Sequence, residues 1–243
     1  MSTVTRPVKP FLRRRPIDGQ DMIRIEGLSF GYRAGGFRLR VPEFELGQGE
    51  RLAIVGPSGS GKTTLLNLVA GILSPENGQI DVAGTEVTRL SEAERRRFRA
   101  TQIGFVFQDF ALLDYLPARQ NILYPYRINP ALKLDAEARA RVEALASACG
   151  IGGKLDRHPT DLSQGEQQRV AICRALVTRP KLILSDEATG NLDPDSKARI
   201  LDLLFEQAAE AGASVLAVTH DHELLPRFER VLDFAQFRER AEA

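Results

Sequence analysis

Eight residues, Gly56-Pro57-Ser58-Gly59-Ser60-Gly61-Lys62-Thr63, fit the pattern G-x-x-x-x-G-K-[ST], a spacing built for phosphate. The glycines let the backbone wrap an anion so that successive N–H groups point inward, and a helix beginning at Lys62 adds its positive N-terminal end. Lys62 supplies a full charge to β- and γ-phosphates, the Thr63 hydroxyl suits Mg²⁺, and Thr64 follows in the same turn. A second constellation lies further on, where the apolar run Leu182-Ile-Leu-Ser185 ends in Asp186-Glu187. Two adjacent carboxylates at the C-terminal edge of a strand can divide the work. Asp186 would serve the metal, and Glu187 would polarise the attacking water. A merely solvated acidic pair is the plainer reading of Asp186-Glu187 taken alone, and the phosphate loop disfavours it.

Both constellations need strands to carry them. Arg51–Val55 reads as an apolar strand, followed by the Gly-rich turn and a helix over Lys62–Ile72. From Asp21 to about Leu46, short β-like runs alternate with turns at Gly31, Gly35 and Gly36, which predicts antiparallel strands. Ser91-Glu-Ala-Glu94 is a capping box that opens a helix with Arg95, Arg96 and Arg97, read as a solvated face. Ile103–Phe107, Leu182–Ser185 and Ser214–Thr219 are predicted strands. Ser163–Thr178 and the segment from Asp193-Pro194 to Gly212 are predicted helices. The stretch from about 109 to 162 is helical in pattern, with Val142, Leu145, Ala146 and Cys149 on one face and Gly150 as terminator. Strands alternating with helices predict a parallel sheet with crossover helices.

Composition bounds the class. The chain has 243 residues, 43% hydrophobic and 27% charged, with a net charge of +1. These values place it among globular proteins and give no basic excess of the kind nucleic-acid binding favours. Mean hydropathy is −0.21, and no apolar run approaches the roughly 18 residues of a membrane span. No apolar segment follows the N-terminus, so no secretory signal is expected. Residues 1–20 read as a basic, flexible tail broken by Pro7, Pro10 and Pro16, with Arg13, Arg14 and Arg15 as a small candidate cluster for anionic lipid. Residues 21–243 read as one domain, with the helical part inserted at approximately 109–178. Cys149 and Cys173 have no metal or redox spacing and read as buried thiols. His158 and His222 read as surface residues.

Further motifs in a fixed order resemble the ATP-binding subunits of ABC transporters. Leu162-Ser163-Gln164-Gly165-Glu166-Gln-Gln-Arg169 resembles the family signature, usually led by L-S-G-G. Gln108 matches the Q-loop glutamine, Gly190-Asn-Leu-Asp193 the D-loop, and His220 the switch histidine. Tyr32 falls where the family places an aromatic on adenine, although a core aromatic is its plainer reading. The resemblance spans about residues 22 to 233. It implies an α/β fold: a P-loop NTPase parallel-sheet core with an N-terminal antiparallel β subdomain and an inserted α-helical subdomain. It implies ATP and Mg²⁺, with Thr63, Gln108 and Asp186 at the metal and Glu187, His220 and Gln108 in catalysis. Residues 56–64 and Tyr32 would hold ATP on one side. Ser163, Gln164, Gly165, Glu166 and Asp193 of a second copy would close over it, so the implied assembly is a head-to-tail homodimer.

The implied partner is a separate integral-membrane permease, docked beside the apolar segment after Gln108. The implied location is cytoplasmic, on the inner face of the cell membrane. Thr189-Gly-Asn-Leu-Asp193, Gly165–Ile172 and Ile103–Gln108 most resemble the subfamily of lipoprotein release, macrolide efflux and cell division. The ATPase of a small-solute importer is the alternative. A soluble non-transport ABC ATPase and a non-hydrolysing regulator are disfavoured, the first by the lack of a coiled-coil insertion, zinc modules or second cassette, the second by Glu187. Two positions depart from the family pattern, Gln164 for a glycine and Ala188 for a proline. Gln164 could crowd a phosphate or reach it with its own amide, and Ala188 loosens its turn through the unfolded state.

Overall fold

The computed structural model describes residues 21–32, 36–190 and 192–237. The basic tail at 1–20, Gly35 of the first turn and Asn191 of the D-loop lie outside them. The centre of the fold is a five-stranded sheet. Strands β3 (Arg51–Val55), β6 (Ile103–Val106), β7 (Leu182–Asp186), β8 (Ser214–Val218) and β9 (Arg230–Asp233) run in the order β6-β7-β8-β3-β9, with every pairing parallel. Side chains alternate across such a sheet with a period of two. Leu52 and Ile54 therefore enter one core while Ala53 enters the other, and Leu182 and Leu184 part from Ile183 in the same way. Burial on both faces is what makes β3, β7 and β8 read as continuous apolar runs, whereas the edge strand β9 is only partly buried.

One face is covered by a second, antiparallel sheet and helix α1 (Lys62–Val69). In that sheet β1 (Asp21–Gly31) pairs with β2 (Arg38–Gly47) and β4 (Asn77–Val82), with the two-residue β5 (Thr85–Glu86) at the edge. Strands β4, β5 and β9 escaped the sequence pattern. The β4 sequence Asn-Gly-Gln-Ile-Asp-Val buries only Ile80 and Val82, so β1 recruits it through pairing rather than through its own apolar content. Helix α1 stops short of the expected Ile72. Gly71 turns left-handed at φ 63°, and a Cβ there would lie 2.8 Å from Val87 Cγ1.

The other face carries α3 (Ala118–Ile128), α4 (Ala136–Ala148), α5 (Gln164–Leu176) and α6 (Pro194–Glu210). Their buried residues share one cluster with the sheet, joining Ile122, Val142, Val170 and Leu204 to Ile183 and Val215. The helical insertion is thus cemented to the core rather than cored on its own. Gly150 ends the α4 segment at φ 69°, and Cys149 and Cys173 are free and buried, as expected. Helix α2 (Glu92–Gln102) opens with the expected capping box at Ser91 and Glu94. Its three arginines are not one solvated face: Arg96 and Arg97 are exposed, but Arg95 packs beside Gly71 and reaches the Ser74 hydroxyl. His158 and His222 are exposed. No described helix is long and apolar enough to cross a membrane.

Candidate active site

Four neighbouring strands end in predicted site residues. After β6 comes Gln108, after β7 Glu187, after β8 His220, and after β3 the loop 56–61. Parallel pairing puts all four C-terminal ends on one edge of the sheet, where α/β folds bind ligands. The sequence alone gave the residues; the strand order makes them neighbours.

The loop and α1 form an unneutralised helix N-terminus. Helices α2, α4, α5 and α6 cap their own amides with Ser91, Asp135, Ser163 and Asp193, whereas α1 begins at Gly61 with no side-chain cap and no acid in its first turn. The first amides of a helix have no intrahelical partner, so an uncapped end offers donors and positive potential to an anion. Gly61 sits at φ 102°, and a Cβ on it would fall 2.6 Å from Phe37 Cζ, so only glycine fits that turn. Pro57, Ser58 and Gly59 are exposed at the crown, and Ser60 is buried beneath them. Lys62 is buried, and its Nζ donates to the carbonyls of Gly56 and Pro57, each at 2.9 Å. Its charge is held by neutral oxygens; among the described residues no carboxylate pairs with it.

The Thr63 hydroxyl donates to Asp186 Oδ1 at 3.3 Å, which joins the two constellations. A hydroxyl and a carboxylate at the foot of a phosphate loop are hard oxygen donors of the kind Mg²⁺ takes alongside phosphate oxygens. Burial raises the Asp186 carboxyl above the usual aspartate range. The Thr63 hydrogen bond opposes the rise, the Glu187 charge adds to it, and Lys62 opposes it. Protons and Mg²⁺ compete for the same carboxylate. A Mg²⁺ held by Asp186 beside ATP would therefore be lost on acidification at a higher pH than an unperturbed aspartate would give. The stability contribution runs the other way: the raised pKa favours the protonated fold, and that contribution fades as pH rises through the folded value. Mg²⁺ titrations at a series of pH values from about 4, the ordinary aspartate range, upward check this, and Asp186→Asn should remove that part of the pH dependence.

Glu187 occupies the left-handed region at φ 48°, a conformation that costs a non-glycine residue on the order of 1–3 kcal/mol and clusters at functional sites. Its amide donates to the Val218 carbonyl at 3.0 Å, and its carbonyl accepts from the Gly190 amide at 2.8 Å. The side chain meets His220, with Nδ1 and Oε2 3.2 Å apart. Gln108 is exposed, and its amide lies against the same turn: a Cβ on Gly190 would fall 3.2 Å from Gln108 Nε2. Asp193 accepts from the Ser196 amide at 3.0 Å and so caps α6.

Tyr32 is 45% exposed, so it is not a core residue. It stands beside the loop, with its hydroxyl 3.1 Å from Thr64 Oγ1 and its ring edge-on to Phe30 at 4.9 Å. Ser163, Gln164, Gly165 and Glu166 gather elsewhere, at the N-terminus of α5. Ser163 Oγ accepts from the Glu166 amide at 3.3 Å, and the Glu166 carboxylate accepts from the Ser163 amide at 2.9 Å. That backbone bond is the main reason the Glu166 carboxyl is held below its ordinary range, with Lys154 helping. The Ser163 hydroxyl keeps its own proton to donate. Among the described residues no hydrogen bond or ion pair joins this cluster to residues 56–64.

Sequence reasoning missed Phe37, which walls Gly61, and Arg174, which donates to the carbonyls of Phe110 and Ala111. Those two residues are both left-handed, at φ 60° and 47°. No spacing rule links Arg174 to a turn so far before it in the chain.

A phosphate loop on a parallel sheet, faced by a strand-end carboxylate pair and flanked by antiparallel and helical parts, defines a P-loop nucleoside-triphosphatase fold. The chain belongs to the ABC transporter family, whose model matches residues 39–190, and it is an ABC ATPase. It is 43% identical over 220 residues to the lipoprotein-releasing system ATP-binding protein LolD of Chromohalobacter salexigens, covering 89% of this chain and 92% of that one. It is 41% identical to the macrolide export ATP-binding/permease protein MacB of Rhodopirellula baltica, over 87% of this chain and 31% of that one. Among solved structures it resembles the dimeric post-hydrolysis state of the ATP-binding cassette MJ0796 bound to ADP and Pi. The TM-score is 0.75 at 32% identity, with 87% of this chain and 94% of that one covered.

Proposed function

We propose that this ATPase powers a separate membrane permease of the lipoprotein-release, macrolide-efflux or mechanical type, as a head-to-tail homodimer with two ATPs between its copies. The observation that carries the reading is the joining of both halves of the site at one sheet edge, Thr63 to Asp186 and Glu187 to His220. Each ATP would lie on residues 56–64 of one copy, with Tyr32 beside the adenine, and would meet Ser163, Gln164 and Gly165 of the other. Thr63 and Asp186, with Gln108, would hold Mg²⁺. When bound, that ion neutralises phosphate charge.

Hydrolysis is in-line attack of water on the γ-phosphate, driven mostly by positioning and electrostatics. Glu187 orients the water and takes its proton. His220 steadies Glu187 through their 3.2 Å contact and would bond the γ-phosphate and the D-loop of the closed dimer. Lys62 leaves its loop carbonyls for the β- and γ-phosphates. Gln108, at the mouth of the helical insertion, reports the nucleotide to the permease.

A groove of about 520 Å³ beside this segment supports permease docking; Phe105, Phe107, Tyr124, Ile128 and Arg174 line it. The location is then the inner face of the cell membrane, reached through the permease. Affinity capture tests the reading. Glu187→Gln chain with Mg²⁺-ATP, incubated with detergent-solubilised native membranes, should bring down a permease with few spans and a large extracytoplasmic domain. A many-span permease with a solute-binding protein would instead assign it to an importer.

A further inference from the structure

Helix α5 carries Ser163 at its N-terminus and, just over one turn further on, Gln168. Gln168 is 0% exposed, and among the described residues neither its Oε1 nor its Nε2 has a hydrogen-bond partner. Buried side-chain amides are almost always paired, with protein or with ordered water. Gln168 lines a cavity of about 20 Å³ at the meeting of α5, α6 and the ends of β7 and β8. One water needs roughly 10–15 Å³ and two to four polar partners. Ser185, Thr189 and Thr219, all hydroxyl-bearing, line the same cavity. Thr219 Oγ1 already accepts from the Asp221 amide at 3.0 Å, which leaves its proton to donate.

The position of this cavity gives it meaning. Ser185 precedes Asp186, Ala188 and Thr189 follow Glu187, and Thr219 precedes His220, so its walls are the immediate neighbours of the site residues. Ala188, where the family usually has the bulkier proline, is one of them. Glu187 is held in a left-handed conformation from the β8 side by Val218 and within its own turn by Gly190. From the α5 side, Gln168 and Ile172 line the cavity next to that turn, and Gln168 is the polar one of the two.

We propose that Gln168 is a positioning residue for ATP hydrolysis: it binds one buried water that bridges α5 to the turn Ser185–Thr189 and fixes the aim of Glu187. The inference rests on Glu187 as the base. It also gives α5 two tasks at once, with Ser163 facing the ATP of the partner copy and Gln168 bracing the chain's own hydrolytic turn.

The test uses the full chain in three forms. In Gln168→Met, which keeps length and loses hydrogen bonding, kcat should fall roughly 10- to 100-fold, the scale of a small misplacement of reacting groups. KM for ATP should stay within about twofold, so that the loss falls on kcat, and the thermal midpoint should drop no more than the loss of one buried water bridge allows. A crystal structure of the unaltered chain at a resolution that defines waters should show one within hydrogen-bonding distance of the Gln168 amide. A dry cavity there overturns the proposal whatever the variants do, and so does Gln168→Met with unaltered kcat. Glu187→Gln measured alongside separates the two assignments. If it is inactive while Gln168→Met is normal, only the water link fails; if it turns over normally, the base assignment fails and takes the link with it.

Discussion

Glu187→Gln is expected to lower ATP turnover by about 10²–10⁴-fold, the usual contribution of a positioned general base, while leaving ATP binding intact. The substitution keeps the shape and length of the side chain, so the left-handed turn at φ 48° and its bonds to Val218 and Gly190 can persist. What is lost is the carboxylate that the proposed mechanism uses to accept the proton of the attacking water. Binding and hydrolysis should then come apart: the variant should bind Mg²⁺-ATP, accumulate as a closed dimer by light scattering, and release phosphate very slowly. Near-normal phosphate release would move the base to another residue and leave the phosphate loop untouched.

Lys62→Ala should differ by failing at binding as well as at hydrolysis. The ammonium is buried and held by two neutral carbonyls 2.9 Å away, so it can exchange those oxygens for phosphate without breaking an ion pair. Hydrogen bonds from a charged donor contribute about 1.5–3 kcal/mol each. Losing one such contact should weaken ATP binding roughly 10- to 100-fold, and the missing charge on the transferring phosphoryl group should lower kcat by about 10²–10³-fold. Nucleotide-binding fluorescence and steady-state phosphate release measure the two effects separately. Unlike Glu187→Gln, this variant should not accumulate as a closed dimer. An alanine variant that binds ATP as tightly as the unaltered chain would show that the loop amides and the α1 N-terminus hold the phosphates without it.

Local chemistry was legible in the residues themselves. A phosphate loop needs glycines, a lysine and a hydroxyl at fixed short spacing, so Gly56 to Thr63 could be read without a fold. The capping box at Ser91 is likewise complete within four residues, and it formed. The buried parallel strands were readable because burial on both faces leaves an unbroken apolar run. Strands β4 and β9 were not, because their pairing partners define them more than their own side chains do.

Tertiary structure alone decided what meets at long range. The order β6-β7-β8-β3 sets Gln108, Glu187, His220 and the phosphate loop side by side, and no spacing rule encodes strand order. The fit of Phe37 against Gly61, the hold of Arg174 on the turn after Gln108, and the unpaired amide of Gln168 behind Glu187 belong to the same class. Residues far apart in sequence meet only when the two cores on either side of the sheet have formed. The sequence by itself determined which atoms can hold phosphate and take a proton, because that chemistry is local. The aim of those atoms, and the burial that shifts Asp186, came only with the packed sheet, because distance and desolvation are properties of the whole fold.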